Sequence, residues 1–356
     1  MKLRTSIARA TIAAAATVAA TPNYAQSYVT LFGVADAAIR RTDTQGVGSL
    51  TALVSGAGGS SRWGMRGQED LGGGLTTSFW LEAPINIDTG TTDGFTRRST
   101  VSLDHRDWGE IRVGRDYTPT HWARFDPFGF VGLGSAQVLT LSATTNTPVR
   151  AAFGTAPTTI QRVSNSAQYL LPHNSIGVDG GAIYSFKEGG IAANDLHHTV
   201  GGRLGYSRGN LYIAGASLRT RNSASSDTFK DTEIAATYQA DAVKIYAAVR
   251  RYEFRNSRQD TKLLGAVVPL GAHEFKASWV RASMDGYIDT TNIGGNRADQ
   301  FALGYVYNLS KSTRLYGTWA TIHNKGSSRF AILGAPAATA NGQSSRGMEL
   351  GINKAF

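Results

Sequence analysis

The sequence predicts an all-β protein: a closed, 16-stranded antiparallel transmembrane β-barrel. Three observations predict this fold. Polar and apolar residues alternate within segments of about ten residues, short connections alternate with long ones along the chain, and the number of segments is even. Beyond residue 25, no apolar run approaches the roughly 18 residues that a membrane-spanning helix needs.

The alternation gives each segment one apolar and one polar face, because successive residues of a strand point to opposite sides of the sheet. In segment 199–207, for example, the two faces carry Val200, Leu204 and Tyr206 on one side and Thr199, Arg203 and Ser207 on the other. A soluble β-sandwich alternates in the same way, so this pattern alone favours strands without deciding between the two architectures.

The lengths of the connections favour the barrel. Short polar links such as Arg208–Asn210, Ala240–Ala242 and Ser310–Ser312 alternate with longer connections. Barrels of outer membranes have short turns on one side and long loops on the other. A sandwich has no reason to separate its connections in this manner.

Sixteen segments can be counted, and both termini fall on segments, so the first can pair with the last. Closure is required, since an open sheet edge in lipid would leave unpaired backbone groups. The segments lie near residues 28–40, 60–69, 75–87, 97–105, 110–117, 163–171, 176–186, 197–207, 211–221, 229–239, 243–254, 260–269, 273–283, 298–309, 313–323 and 345–356.

Residues 1–25 are predicted to be a cleaved secretory signal peptide. Lys2, Arg4 and Arg9 precede a small apolar run, and a turn-forming region that ends at Ala25 follows it. Residues 26–356 would then form the barrel, and its formal charge is +7 after the three cations are removed from the total of +10. The remaining Arg and Lys residues form no dense block, so we expect no nucleic-acid partner. The chain contains no Cys and hence no disulfide.

One connection is much longer than the others. Residues 118–161 include four prolines, several glycines and no sustained periodicity. A loop of this length in a compact domain is usually functional or disordered. Its aromatic residues, among them Trp122, Phe125 and Phe128, favour a packed loop.

Five stretches of the chain resemble the trimeric Gram-negative general porin family, particularly its betaproteobacterial members. They are Ser27–Ala37 (SYVTLFGVADA), Ser61–Leu75 (SRWGMRGQEDLGGGL), Glu110–Pro119 (EIRVGRDYTP), Leu303–Lys311 (LGYVYNLSK) and Gly351–Phe356 (GINKAF). The family more often has His where Lys354 stands. The resemblance covers nearly all of residues 26–356, in order.

This resemblance implies a porin of the outer membrane that lets small hydrophilic solutes and ions diffuse passively. It also implies a homotrimer, contact with outer-membrane lipid and lipopolysaccharide, and delivery by the outer-membrane assembly machinery, with Phe356 as part of the assembly signal. The long third loop, about residues 118–161, is expected to fold inward and narrow the pore. No cofactor is implied.

Carried over by position, the resemblance places an arginine cluster at the constriction, opposite carboxylates. The arginines are Arg62, Arg97 and Arg162, and the acids are Glu82 and Asp126. Strand parity independently predicts that Arg62 and Glu82 face water. Arg97 shares parity with Val101 and Leu103, whereas Arg98 falls with Thr100 and Ser102, so either a bulge shifts the face or Arg98 lines the pore. Excess positive charge predicts a bias toward small anionic solutes.

Other interpretations stay open at this point. Each arginine could instead be a solvated rim charge that pairs with lipopolysaccharide or loop carboxylates. An enzyme in a barrel would need a nucleophile and a base within hydrogen-bond reach of each other. His105, His197 and His198 lie near predicted loops or turns, and no G-x-S-x-G motif is present. An adhesin or a substrate-specific channel is compatible with long loops. The scattered His residues match no metal-site spacing.

Overall fold

The computed structural model describes residues 28–122, 125–129, 131–155, 157, 159–186, 198–222 and 227–356. The predicted signal peptide, residues 1–25, lies outside the described residues, as does His197. Within the described ranges, no helix is long and apolar enough to cross a membrane.

The strands are β1 (Tyr28–Thr44), β2 (Gly48–Ser55), β3 (Arg62–Gly72), β4 (Leu75–Pro84), β5 (Arg98–His105), β6 (Gly109–Tyr117), β7 (Arg162–Leu170), β8 (Val178–Ser185), β9 (His198–Arg208), β10 (Leu211–Arg221), β11 (Thr228–Ala240), β12 (Val243–Phe254), β13 (Ser257–Leu270), β14 (His273–Ile288), β15 (Thr291–Asn292), β16 (Arg297–Asn308), β17 (Thr313–Lys325) and β18 (Ser345–Ala355). The helices are α1 (Pro119–Trp122), α2 (Pro148–Phe153) and, between them, a 3₁₀ helix (Ala136–Leu139).

These strands form one closed antiparallel sheet with sixteen strand positions. β2 and β3 follow one another along the same partner, because β2 pairs with the second half of β1 and β3 pairs with its first half. β15 is a two-residue extension that pairs only with the end of β14. β1 and β18 pair from Val34 with Ala355 to Thr44 with Ser345, which closes the sheet. The predicted all-β class and the count of sixteen are confirmed.

The two faces of the sheet differ as the alternation predicted. In β18, Met348, Leu350 and Ile352 are exposed, whereas Glu349 is 1% exposed and Asn353 is buried. The same alternation continues through the other strands, so the outer surface of the barrel is apolar and the inner surface is largely polar. Apolar residues on the outside of a closed barrel suit the hydrocarbon of a bilayer.

The connection between β6 and β7, residues 118–161, is called the β6–β7 loop below. Its short helices have N-terminal caps, since Ser135 accepts a hydrogen bond from the Gln137 amide and Thr147 accepts one from the Arg150 amide. Two glutamine side chains of the strands bind the backbone of this loop: Gln259 Nε2 donates to the Leu139 carbonyl at 2.9 Å, and Gln300 Nε2 donates to the Leu133 carbonyl at 2.9 Å.

Candidate functional site

A cavity of about 480 Å³ lies within the barrel. Its lining comes from β3, β4, β6 and β7 on one side and from β14 and β17 on the other, together with the β6–β7 loop. Strands from such distant arcs of a closed sheet can share a cavity only through the barrel interior. The lining residues are Gly58, Gly59, Ser60, Arg62, Glu82, Arg97, Tyr117, His121, Pro127, Phe128, Gly129, Val131, Gln161, Arg162, Lys276 and Arg314.

One carboxylate, that of Glu82, lies between two guanidinium groups. Arg97 Nε donates a short hydrogen bond to Glu82 Oε1, and Arg62 Nε lies 3.6 Å from the same oxygen. Trp80 Nε1 donates to the other carboxylate oxygen at 3.2 Å. Glu82 thus holds two predicted arginines in place, but one negative charge cannot neutralise both.

The third predicted arginine, Arg162, is held by an aromatic ring at the end of β6. Its Nη2 donates to the Tyr117 hydroxyl at 2.8 Å, and its guanidinium carbon lies 4.4 Å from the centre of the Tyr117 ring. Arg97 Nη2 reaches the same hydroxyl at 3.4 Å, so Tyr117 links two of the arginines. His121 stacks on Tyr117 with ring centres 4.2 Å apart.

The structure separates the two candidates Arg97 and Arg98. β5 begins at Arg98, so Arg97 precedes the strand and the alternation of faces does not constrain its side chain. Arg97 lines the cavity. Arg98 also points inward, but it donates to Thr100 Oγ1 at 3.1 Å, lies 3.5 Å from Asp116 and packs over the Trp80 ring. Arg98 is not among the lining residues of the cavity.

Asp126, the second predicted acid, lies in the β6–β7 loop next to Pro127, which lines the cavity. Its two carboxylate oxygens accept hydrogen bonds from the amides of Phe128, at 2.9 Å, and Ala136, at 2.6 Å. It does not line the cavity with the arginines. Its contacts shape the turn that presents Pro127, Phe128 and Gly129 to the cavity.

Two further cations line the cavity that the sequence analysis did not select. Arg314, near the start of β17, donates from Nη2 to the Gly58 carbonyl at 2.9 Å. Lys276 Nζ lies 2.9 Å from Glu274. Parity alone could have found Arg314, because it precedes the outward-facing Leu315 and therefore points inward.

The lining therefore holds five cationic side chains and one carboxylate, Glu82. A narrow pore through low-dielectric protein concentrates the field of such charges. Chemically, this arrangement can attract and pass an anion. In the described part of the chain, no group of three His, Asp or Glu residues could hold a metal ion.

Phe356, the predicted assembly residue, lies at the seam where the barrel closes. Its backbone exchanges two hydrogen bonds with Gly33, at 3.0 and 2.9 Å. The Phe356 ring packs so close to Gly33 that a Cβ at this position would overlap a carbon of the ring. The side chain is 61% exposed on the outer surface.

A closed sixteen-position barrel with an apolar exterior and a charged interior cavity defines a membrane channel. The chain belongs to the Gram-negative porin family, whose sequence model matches residues 10–327. It is therefore an outer-membrane channel protein and not an enzyme.

The individual relatives that match this chain are also porins. The chain is 32% identical over 364 aligned residues to outer membrane porin protein 32 of Delftia acidovorans, covering 97% of this chain and 99% of that protein. It is 26% identical to an outer-membrane porin of Bordetella pertussis, with coverage of 82% and 88%. Among solved structures, an anion-selective porin from Comamonas acidovorans matches with a TM-score of 0.78 and 31% identity, covering 93% of this chain and all of the other.

Proposed function

We propose that the cavity is the constriction of a passive diffusion channel that favours anions. The observation that carries this proposal is the imbalance of charge at the lining, where Arg62, Arg97, Arg162 and two further cations face a single carboxylate. The matched structure from Comamonas acidovorans bears the description anion-selective, which supports the same bias here. The solutes are small anions and small polar molecules.

The test is the reversal potential of purified protein in a planar bilayer with a salt gradient. Neutralising two cavity charges, with Arg62→Gln and Arg162→Gln together, should move the reversal potential toward zero. The matched control removes two exposed charges that do not line the cavity, Lys311→Gln and Lys325→Gln, and should leave the potential nearly unchanged. Equal shifts would mean that the diffuse charge of the barrel sets the selectivity. Absence of stepwise currents would overturn the channel itself.

We also propose that the β6–β7 loop folds inward and forms one side of the constriction. Pro127, Phe128 and Val131 share the cavity with strands from opposite arcs of the barrel. At its start, Thr120 Oγ1 donates to Asp231 of β11 at 2.8 Å, and Asp231 is fully buried. These contacts support an inward course.

Salt should weaken the anion preference, because the Debye length falls from about 10 Å at 0.1 M to about 3 Å at 1 M.

The partners follow from the outer surface. We infer a homotrimer in the outer membrane, supported by the family and by the apolar exterior. Contact with lipopolysaccharide is supported by a group of cations outside the barrel, where Lys262 lies in register with Arg281, and Arg297 with Lys325. Asp299 pairs with Arg281 and Arg297, but its single charge leaves the four cations in excess. Like charges in register destabilise a sheet, so an anionic lipid headgroup beside this group would be stabilising. We also infer that the protein is exported through a cleaved signal peptide and delivered by the outer-membrane assembly machinery. The segment that this machinery recognises would include Phe356.

A further inference from the structure

Part of the inner surface of the barrel from β12 to β17 is apolar, beside polar residues of the same strands such as Gln259 and Gln300. Its inward positions carry small or aliphatic residues that are almost fully buried, and water-filled barrels normally have polar linings. The residues are Ala248, Leu263, Val280, Ala282, Ala298, Ala302, Ala320 and Ile322. Something must cover this arc, since exposure of so many apolar side chains to a water-filled lumen would be unfavourable.

Two loops cover it together. Leu133 and Leu139 come from the β6–β7 loop, and Phe330 and Ile332 come from residues 326–344, called the β17–β18 loop below. All four side chains are at most 1% exposed. The small alanines of the wall leave the space that these larger side chains occupy.

The two loops also bind each other through their backbones. Thr144 Oγ1 donates to the Arg329 carbonyl at 2.7 Å, and the Arg329 amide donates to Thr145 Oγ1 at 2.8 Å. Arg329 Nη2 adds a bond to the Thr144 carbonyl at 3.1 Å. The loops therefore form one packed body, although about 185 residues separate them in sequence.

One buried ion pair joins this body to the barrel. Arg40 of β1 and Glu349 of β18 face each other in register at the closure of the sheet, with Nη2 and Oε2 2.7 Å apart and side chains 7% and 0% exposed. Glu349 Oε1 accepts the Leu133 amide of the β6–β7 loop at 3.1 Å. Arg40 Nη1 donates to the Leu333 carbonyl of the β17–β18 loop at 3.3 Å. Each partner thus holds a different loop.

The β17–β18 loop has a second attachment to β1. Thr44 Oγ1 donates to the Pro336 carbonyl at 2.7 Å, and Thr42 Oγ1 donates to the Gly334 carbonyl at 3.2 Å. Both threonines are buried and face the interior. Strand β1 therefore fixes the β17–β18 loop at three successive inward positions, which are occupied by Arg40, Thr42 and Thr44.

We propose that Arg40 and Glu349 are positioning residues that set the pore width by holding the β6–β7 loop and the β17–β18 loop in place. The proposal rests on the proposed inward course of the β6–β7 loop. Leu133, which Glu349 binds, is two residues from Val131 at the cavity. Loss of the pair would therefore release the edge of the pore without removing any charge from the cavity.

The first experiment tests whether the loops touch, using the absence of Cys from the chain. Thr144→Cys with Arg329→Cys, purified and treated with copper-phenanthroline as oxidant, should form an internal disulfide, seen as a faster band without reductant and as the loss of two hydrogens by mass. A disulfide requires Cα atoms within about 7 Å. The control, Thr89→Cys with Arg329→Cys, should stay reduced. Failure of the first pair to cross-link in a folded channel would overturn the contact.

The second experiment tests the positioning role by single-channel recording. Arg40→Met with Glu349→Gln removes both charges of the pair, which avoids leaving one buried charge alone. We expect a higher and noisier unit conductance, with the reversal potential of the native protein retained. The control, Arg251→Met with Asp260→Asn, removes an ion pair on the outer face of the barrel and should keep native conductance. Quiet, native conductance in the first variant would refute the positioning role.

The two readouts separate this inference from the proposed function. If the arginine variants shift the reversal potential while the Arg40 and Glu349 variant conducts like native protein, the anion constriction stands and the positioning role fails. If the arginine variants leave the reversal potential unchanged while the Arg40 and Glu349 variant opens the pore, the loops shape the pore and the charge assignment fails.

Discussion

Replacement of Asp231 by Ala should destabilise the protein by leaving Arg250 with a poorly compensated buried charge. Arg250 Nε and Nη2 donate to the two oxygens of Asp231 at 2.8 and 2.5 Å, and the two side chains are 4% and 0% exposed. Thr120 of the β6–β7 loop donates to the same carboxylate. The Arg250–Asp231 pair is therefore in direct contact with the start of the β6–β7 loop.

The size of the effect follows from these contacts. Breaking a buried pair by removing one partner typically costs 3–5 kcal/mol. Glu233, 3.7 Å from Arg250 Nη1, offers a substitute carboxylate and places the pair at the low end, about 3 kcal/mol. Loss of the Thr120 hydrogen bond adds about 1 kcal/mol. Asp231→Ala should therefore lower the free energy of unfolding by about 4 kcal/mol.

The assay is guanidinium unfolding in detergent micelles, followed by far-ultraviolet circular dichroism, on a double-mutant cycle. The double variant Asp231→Ala with Arg250→Met removes both charges and should recover most of the loss, because no unpaired cation remains. If the double variant were as unstable as the single one, or if the single variant were as stable as native protein, the argument from buried charge would be refuted.

Three further predictions concern assembly and the cavity. Deletion of Phe356 should lower the folded yield in outer-membrane fractions, and Gly33→Leu should do the same by displacing the Phe356 ring; native levels of either variant would contradict the seam assignment. Tyr117→Phe should reduce the anion preference less than Arg162→Gln does, because loss of the hydroxyl loosens two guanidinium groups but keeps their charge. If Tyr117→Phe shifted the reversal potential as much as Arg162→Gln or more, charge would not be the main determinant of the preference. Unheated protein should migrate on detergent gels as an oligomer that boiling converts to a band of about 35 kDa, because a closed barrel has no edge from which to unzip; a monomer-sized band before heating speaks against the trimer.

The fold was largely predictable because a strand with one face in lipid must alternate in polarity along its whole length. The sixteen segments correspond to the sixteen strand positions, with shifts of a few residues. β2 was missed, since Gly48–Ser55 shows little alternation and lies before Gly56, Gly58 and Gly59. Glycine breaks there divide one strand position into two strands.

The candidate site was less predictable, because parity holds only inside regular strands. Arg97 lies one residue before β5, so its direction depends on the Glu82 carboxylate rather than on the pleat. Asp126 lies in a loop, where the nearest backbone amides bind its carboxylate. The apolar inner arc was invisible in sequence, since alanine at an inward position is equally compatible with a polar lumen and a packed one.

The pairing of β1 with β18 has a consequence for the order of folding. Arg40 and Glu349 stand 309 positions apart, whereas the hairpins between neighbouring strands close over a few residues. Closing a segment about thirty times longer costs about 3 kcal/mol more in chain entropy. Neighbouring hairpins can therefore form early, whereas β1 keeps an unpaired edge until β18 docks against it. During that interval the open sheet is a template for aggregation, so a factor that shields the edge of β1 would raise the fraction of chains that reach the native state.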